Sequence, residues 1–531
     1  MNYQSPLLFG VGFSILFSIL IMMFQPTSIN FYDESVMLMG ALQVQNGVYP
    51  GSGFFAVYGP LQFFIPAGLL SIFDGNIIAL RIYHVATVSL TLLALASLFK
   101  PTSSRDRVAI TALFLVLSFI FVTKFALPLY PTHMISMFGA LFVVVQARGF
   151  DTKVITTIFA LTLFLTGFAF LAPISCIIVL IMLFFAIPFN LFNNGRLSPR
   201  AVLNEGLKLI IATALTLALA SLYDRFTDGS LTATVKFLFE EQIPVYASHR
   251  NLPFPTFSTN SGTLVSAYFP IITFVLGAGY YFYTAARRDQ YPRAFRSTFF
   301  WLLFFCLAFY PSGLVRTHGA QLWPTMLFAL AAALFLLANM RDRKEKSVKN
   351  RSFWISVSII SAVLFIAFSE YSLRRKENFA TDCQIGRITT SPSSCLHVGS
   401  SKDWPKRQRQ ISFLDSFLHP KEPLFITTDR HDQIFAADLS YYFLLNRLPL
   451  TRWAHLEPGI QTTMKVQQQI IDDLRRNIDA NGRSIVLVQP ALISNEPNMS
   501  SVSSNVFDLD EYLETCEVVA EFETLKVIVC K

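Results

Sequence analysis

The sequence predicts a polytopic α-helical membrane protein ending in a small α/β domain, and three observations predict it. Hydrophobic residues make up 53% of the 531 residues against 14% charged, roughly half the charge density of a typical soluble domain. Apolar runs near twenty residues, the length that crosses a ~30 Å hydrocarbon core, recur through the first 370 positions. Beyond them the composition becomes that of an ordinary soluble chain, with β-rich runs alternating with helical ones.

Eleven apolar runs are candidate spans: 7–24, 77–99, 108–125, 132–147, 154–170, 173–192, 209–223, 263–283, 297–310, 322–340 and 353–368. One helix over 154–192 would overshoot the ~30 Å core nearly twofold at ~1.5 Å per residue, so a hairpin near 167–173 divides it. The first run has no basic segment before it and no small-residue cleavage site after it, which marks a retained helix rather than a signal peptide.

Charge sets the orientation. With a cytoplasmic N-terminus, alternate loops carry Lys100, Arg105 and Arg107, then Arg148 and Lys153, then Arg196, Arg200 and Lys208, then Arg287, Arg288, Arg293 and Arg296, then the basic run from Arg341 to Arg351. That side is the cytoplasm. The opposite side receives 25–76, a segment with no Lys or Arg, and everything after Glu370. The expected location is the cell inner (plasma) membrane, multi-pass, with the C-terminal domain periplasmic or extracellular. The net charge of +8 resides in these short loops, which argues against a nucleic-acid partner.

The expected division is a transmembrane domain over 1–370 and an α/β domain over 371–531. Within the first outer loop, apolar spacing at Met37, Ala41 and Leu42 predicts a helix over 34–46 that stops at Gly47 and lies along the membrane surface. Pro60 opens a second apolar helix over 61–73, too short to cross, closed by Asp74 and Gly75. In the C-terminal domain, strands are expected at 423–428, 484–488, 517–521 and 525–529, and Val466, Ile470, Ile471, Leu474 and Ile478 trace one face of a helix. Cys176 and Cys306 fall in spans and read as core, whereas the other four cysteines fall in the outer domain, where disulfides form. Cys516 and Cys530 bracket two strands meeting about a turn at Glu523, which sets the thiols roughly opposite each other, and Cys383 with Cys395 is a second candidate pair.

Asp33 and Glu34, shortly past the first span, are the most informative pair. Adjacent carboxylates beside a membrane cost desolvation and mutual repulsion. Acids also suit the first turn of a helix, whose dipole favours them, so a purely structural role competes with a chemical one. Transfer of a sugar from a lipid phosphate to a hydroxyl needs a base for the acceptor proton and cations for the departing phosphate. Asp33 or Glu34 supplies the base. Arg316 and His318, Arg81 with His84, and Lys124, all at outer span ends, supply cations or donors near phosphate depth, against the plain reading that they snorkel or pack. Tyr49 and Tyr58 stand out as sugar contacts within an aromatic content, 53 Phe included, that otherwise serves packing and lipid. His431 and Asp432, without further ligand spacing, read as a structural cap.

Tyr32-Asp33-Glu34, Asn46-Gly47-Val48-Tyr49-Pro50, the run from Phe54 to Gln62 and Arg81 resemble the N-terminal signature of GT-C glycosyltransferases, within the protein O-mannosyltransferase and aminoarabinose transferase superfamily (glycosyltransferase family 39-like). The resemblance covers about the first 350 residues. It implies a GT-C fold, a catalytic acid in the first outer loop at Asp33 or Glu34, two juxtamembrane helices there, a polyprenyl-phosphate sugar donor, membrane lipid around it, and a lipid, glycan or protein acceptor. Arg316-Thr317-His318 is similar to the Arg and His preceding a late span in that superfamily, implied to meet the donor phosphate. Many relatives carry a basic residue near the fifth or sixth span, whereas 168–173 has none. The resemblance calls for no cofactor, while other branches of the fold use a divalent metal, so metal dependence stays open.

Two other functions compete. A transporter predicts related halves and charged or helix-breaking residues at mid-membrane, and no such repeat is visible. A lipid-linked polysaccharide polymerase or ligase predicts a late outer loop rich in arginine, whereas 224–262 offers Arg225, Lys236, His249 and Arg250.

Overall fold

The computed structural model describes residues 33–341 and 404–531 except positions 57, 76, 100–103, 126–129, 149–153, 228–229, 238, 241–253, 257–258, 260, 288–289, 312–318, 434–436, 455–461 and 492–502. The expected spans at 7–24 and 353–368 therefore lie outside the described residues, as do Arg316, His318, Cys383 and Cys395.

Two short helices come first, α1 (Asp33–Gln45) and α2 (Leu61–Ile72). The bundle follows: α3 (Ile78–Ala96), α4 (Ser104–Phe125), α5 (Pro131–Arg148), α6 (Val154–Leu171), α7 (Pro173–Asn193), α8 (Pro199–Phe226), the short α9 (Leu231–Phe237), α10 (Ser261–Ala286), α11 (Arg293–Ala308) and α12 (Gly319–Arg341). Among the described residues six helices are long and apolar enough to cross a membrane, lying within α3, α6, α7, α8, α10 and α12. The runs expected at 108–125, 132–147 and 297–310 are also helical, as α4, α5 and α11.

Helix α11, at 16 residues, is shorter than these six. Nearly all of it is enclosed by neighbouring helices, Arg296 included, so protein rather than lipid satisfies it. Phe305 in its last turn meets Phe142, Phe164, Phe309 and Phe328 at centroid distances of 5.2 to 5.8 Å, a density of edge and tilted contacts suited to ring quadrupoles. Opposite character marks α6, α7, α8 and α10, where Phe159, Phe184, Phe185, Leu217 and Leu276 face outward, as lipid-facing residues do. Helix α8 begins about ten residues before the expected span because Ser198 caps it, accepting a bond from the Ala201 N–H at 3.1 Å. Its polar first turns include the Lys208–Glu205 pair at 2.6 Å.

The C-terminal segment runs α13 (Trp404–Phe417), β1 (Leu424–Thr428), α14 (Ser440–Leu444), α15 (Met464–Asn481), β2 (Ser484–Gln489), α16 (Asp508–Glu514), β3 (Glu517–Phe522) and β4 (Leu525–Cys530). The sheet order is β1-β2-β4-β3, with β1 and β2 parallel and the other pairings antiparallel. Strand alternation sends Phe425, Val486 and Ile528 to one face, against Val466, Ile470 and Leu474 of α15. Cys516 and Cys530, with Cα atoms 4.5 Å apart, are joined as a disulfide at this edge.

The other face, Leu424, Ile426, Ile485, Leu487, Val527 and Val529, shares one core with Ile411 and Leu414 of α13, Tyr441 and Tyr442 of α14, and Val36 to Met39 of α1. This changes the reading of α1. The sequence predicts an amphipathic surface helix, whereas residues 34–43 are buried without interruption. Helix α2 covers one side and the α/β segment the other, so no face is left for solvent.

Candidate active site

The site is assembled where the start of α1 meets the first turn of α3, beside the N-terminal ends of α5 and α12. Glu34, one residue into α1, is buried, and so is Arg81 in the first turn of α3. They form a two-pronged ion pair: Arg81 Nη2 donates to Glu34 Oε2 at 3.0 Å and Nη1 to Oε1. The planar guanidinium matches both carboxylate oxygens, the strongest geometry available to such a pair. Helix α2 packs closely on α1 because Gly40 lets the Phe63 ring approach: a Cβ there would lie 2.1 Å from that ring. Asp33 precedes Glu34, about 100° around the helix, and is half-buried.

One turn below Arg81, His84 meets His133 of α5 edge-on at 4.8 Å, and Tyr83 meets the same ring at 5.8 Å. Beside them Gln321 of α12 donates to Tyr130 Oη at 2.6 Å, Trp323 donates to Thr132 Oγ1 at 2.9 Å, and Tyr58 contacts Tyr130 at 6.0 Å. Three helix N-termini thus converge on one region, and the positive ends of their dipoles favour an anion.

The loop 46–60 is stitched to its surroundings through main-chain atoms. Pro50 O accepts from Tyr223 Oη at 3.2 Å and from the Ser230 N–H at 3.1 Å. Gly59 N–H donates to Leu171 O at 3.0 Å, and a Cβ on Gly59 would lie 2.3 Å from the Phe170 carbonyl, which is why glycine stands there. On the other side Phe55 N–H donates to Arg452 O at 2.8 Å, Arg452 donates to Gly51 O at 2.9 Å, and Phe55 stacks on Trp453 at 5.3 Å.

Of the residues singled out by sequence, Glu34, Arg81 and His84 come together, with Asp33 beside them and Tyr58 at the edge through Tyr130. Tyr49 is held on the α8 side, stacked on Phe64 at 5.6 Å. Lys124 belongs to the last turn of α4, and its side chain lies outside the described residues. Sequence reasoning missed His133, Tyr130 and Gln321. A lone histidine opening an apolar run after Pro131-Thr132 was the available signal.

In the α/β segment, His431 Nδ1 bonds Asp510 at 2.6 Å and its Nε2 bonds Thr427, while Asp432 is held by Arg430 at 2.9 and 3.0 Å and by Ser503 at 2.5 Å. Burial alone would raise the Asp432 carboxyl, but the Arg430 and Ser503 bonds outweigh it and hold the group below the ordinary aspartate range. Among the described residues no three of His, Cys, Asp and Glu gather as metal ligands.

A helical membrane bundle, two short helices laid across its end and a small sheet docked on them define a polytopic membrane protein of the GT-C glycosyltransferase fold. The chain is similar, over 99% of its length and 98% of the other, to a crystal structure of ArnT from Cupriavidus metallidurans bound to undecaprenyl phosphate, with a TM-score of 0.54 and 11% identity. The apo structure of the same ArnT covers the same shares at a TM-score of 0.49 and 11% identity. No protein-family model and no curated protein matches the sequence. At this identity the likeness establishes the fold.

Proposed function

We propose that this chain is an integral-membrane glycosyltransferase that moves a sugar from a polyprenyl-phosphate-linked donor to a hydroxyl of a lipid, glycan or protein acceptor on the outer face of the membrane. The observation that carries the reading is the placement of Asp33 beside the buried Glu34–Arg81 pair, at the convergence of three helix N-termini. It is supported by the full-length likeness to an ArnT captured with undecaprenyl phosphate.

In this reading Asp33 is the general base. It takes the acceptor hydroxyl proton as the oxygen attacks the anomeric carbon, the carbon–oxygen bond to phosphate breaks, and the electron pair leaves on the phosphate with inversion. Glu34 is engaged by Arg81 and positions the site. Arg81 can meet a phosphate only by sharing that carboxylate, so the departing charge falls mainly to Arg316, His318 and Lys124, assisted by the helix N-termini. Tyr58 and Tyr49 flank the sugar path. The working division stays 1–370 for the catalytic membrane domain and 371–531 for the outer domain, with a cytoplasmic N-terminus and an inner-membrane location.

The test is transfer of label from radiolabelled polyprenyl-phosphate sugars by purified protein. Asp33→Asn should lower turnover about 10²- to 10⁴-fold, the range for loss of a general base. Full activity in that variant removes Asp33 from the role, and solute uptake into vesicles without transfer points to a transporter.

A further inference from the structure

Helix α11 opens with the wrong charge for its position. Arg293 is its first residue and Arg296 lies in its first turn, where the positive end of the helix dipole disfavours cations and favours an anion. A basic residue at a membrane boundary ordinarily extends its head into water, yet Arg296 is 4% exposed and enclosed by neighbouring helices. Tyr281 of α10, 2% exposed, faces Arg296 and also Asn193 of α7, itself 3% exposed. Among the described residues neither Tyr281 Oη nor Asn193 Nδ2 completes a hydrogen bond, with the other or with a third group.

This cluster lies at the far end of the bundle from Glu34 and Arg81. Helix α7 starts beside Leu171, whose carbonyl accepts from the Gly59 N–H, and its 21 residues carry Asn193 roughly 30 Å away. The segment 287–296 carries four arginines and one aspartate. Toward the bundle surface, Tyr281 packs on Phe189 at 6.2 Å and on Phe300 at 5.5 Å, and Phe189 meets Phe282 at 5.8 Å. Phe185 and Phe282 are exposed and Phe189 partly so, which gives the polar cluster an outward-facing apolar border.

We propose that Arg296, Tyr281 and Asn193, with Arg293 at the rim, bind the phosphate of an anionic phospholipid whose acyl chains lie along Phe185, Phe189 and Phe282. A phosphate presents acceptor oxygens to a guanidinium, a phenol hydroxyl and an amide NH₂ together, and its charge suits both the arginines and the start of α11. Inorganic phosphate offers the same oxygens but leaves the outward rings uncovered, whereas a lipid meets both features. A zwitterionic headgroup adds a cation that the arginines repel. In the orientation proposed above, this is the cytoplasmic leaflet.

The experiment needs neither sugar donor nor acceptor, so its outcome is independent of the transferase reading. Delipidated full-length protein in detergent is mixed with phosphatidylglycerol, phosphatidylcholine or inorganic phosphate at matched concentrations, bound lipid is counted by native mass spectrometry, and Tm is followed in parallel. The expected result is one retained phosphatidylglycerol per chain with a higher Tm, and neither effect from the other two. Arg296→Gln should weaken retention about tenfold or more, as loss of a charge-assisted contact does, and Tyr281→Phe about threefold to tenfold. Arg287→Gln, at an exposed residue lying over the Tyr283 ring at 4.7 Å, should leave it unchanged. If Arg296→Gln fails gel filtration, Tyr281→Phe, which removes one hydroxyl, still decides. Unchanged phosphatidylglycerol binding in the folded variants, or equal retention of phosphatidylcholine, overturns the proposal, and an equal Tm gain with inorganic phosphate overturns its lipid.

Discussion

The Glu34–Arg81 pair predicts strongly non-additive mutations. Glu34→Gln preserves shape but leaves a buried guanidinium facing a neutral amide, and Arg81→Met leaves a buried carboxylate without its cation. Breaking a buried pair from one side costs about 3–5 kcal/mol, whereas replacing both members with uncharged groups is often close to neutral because the desolvation penalty goes too. Both side chains here are almost wholly enclosed, at 2% and 8% exposure, so solvent offers little relief. An unfolding entropy of about 2.1 cal/mol/K per residue gives about 1.1 kcal/mol/K over 531 residues. Each single variant should then lower Tm by about 3–4 °C and the double variant by about 1 °C. The assay is thermal unfolding in detergent of wild type, both singles and the double, read as a double-mutant cycle. If the double variant falls by the sum of the singles, the two groups do not depend on each other and the site has been built on the wrong contact.

Three further outcomes follow from other contacts. Burial alone would raise the Glu422 carboxyl, but bonds from Arg483 at 2.8 Å and from the His419 N–H hold it below the ordinary glutamate range. A depressed folded value contributes stability that is present above the unfolded glutamate value and lost as pH falls through the folded one, so hydrogen exchange in β1 and β2 should rise on acidification below about pH 4, and less steeply in Glu422→Gln. The Cys516–Cys530 bridge spans a sequence separation of 14, for which loop-closure entropy predicts about 3 kcal/mol; Cys530→Ala should unfold at visibly lower temperature, and thiol labelling of the wild type without reductant should miss both residues. Gly59→Ala would drive a methyl to within 2.3 Å of the Phe170 main chain, so it should reduce the yield of monodisperse protein on gel filtration, whereas Gly68→Ala, with nothing within 4 Å, should not.

How much of this was legible in the sequence depended on whether a contact is local. Helix ends were readable where a residue with a distinct backbone preference marks them: Gly47, at φ 78°, follows α1, and Pro60 precedes α2. The four strands were readable from β-branched runs, and the face of α15 from its apolar spacing. Glu34 and Arg81 each stood out singly, yet 47 residues separate them and only the packing of α1, α2 and α3 makes them one unit. His133 offered only the weak signal of a lone histidine opening an apolar run, since it meets a ring from another helix. Apolarity marked α11 as a helix, but its enclosure by neighbouring helices rather than exposure on the bundle surface could not be read from composition.

A hydrogen bond inaccessible to sequence reasoning joins Arg452 to Gly51 across 401 residues, and it bears on how the site is held. Helix α1 shares its core with the α/β segment, and the loop after α1 is fixed to Arg452 and Trp453 on one side and to α6, α8 and the start of α9 on the other. Asp33 is therefore positioned by two bodies of structure at once. A short helix of thirteen residues is marginal on its own, so loosening either attachment shifts the carboxylate relative to Arg81 and the helix ends below it. The sheet and α14 of the C-terminal segment pack against α1, and α1 carries the two acids.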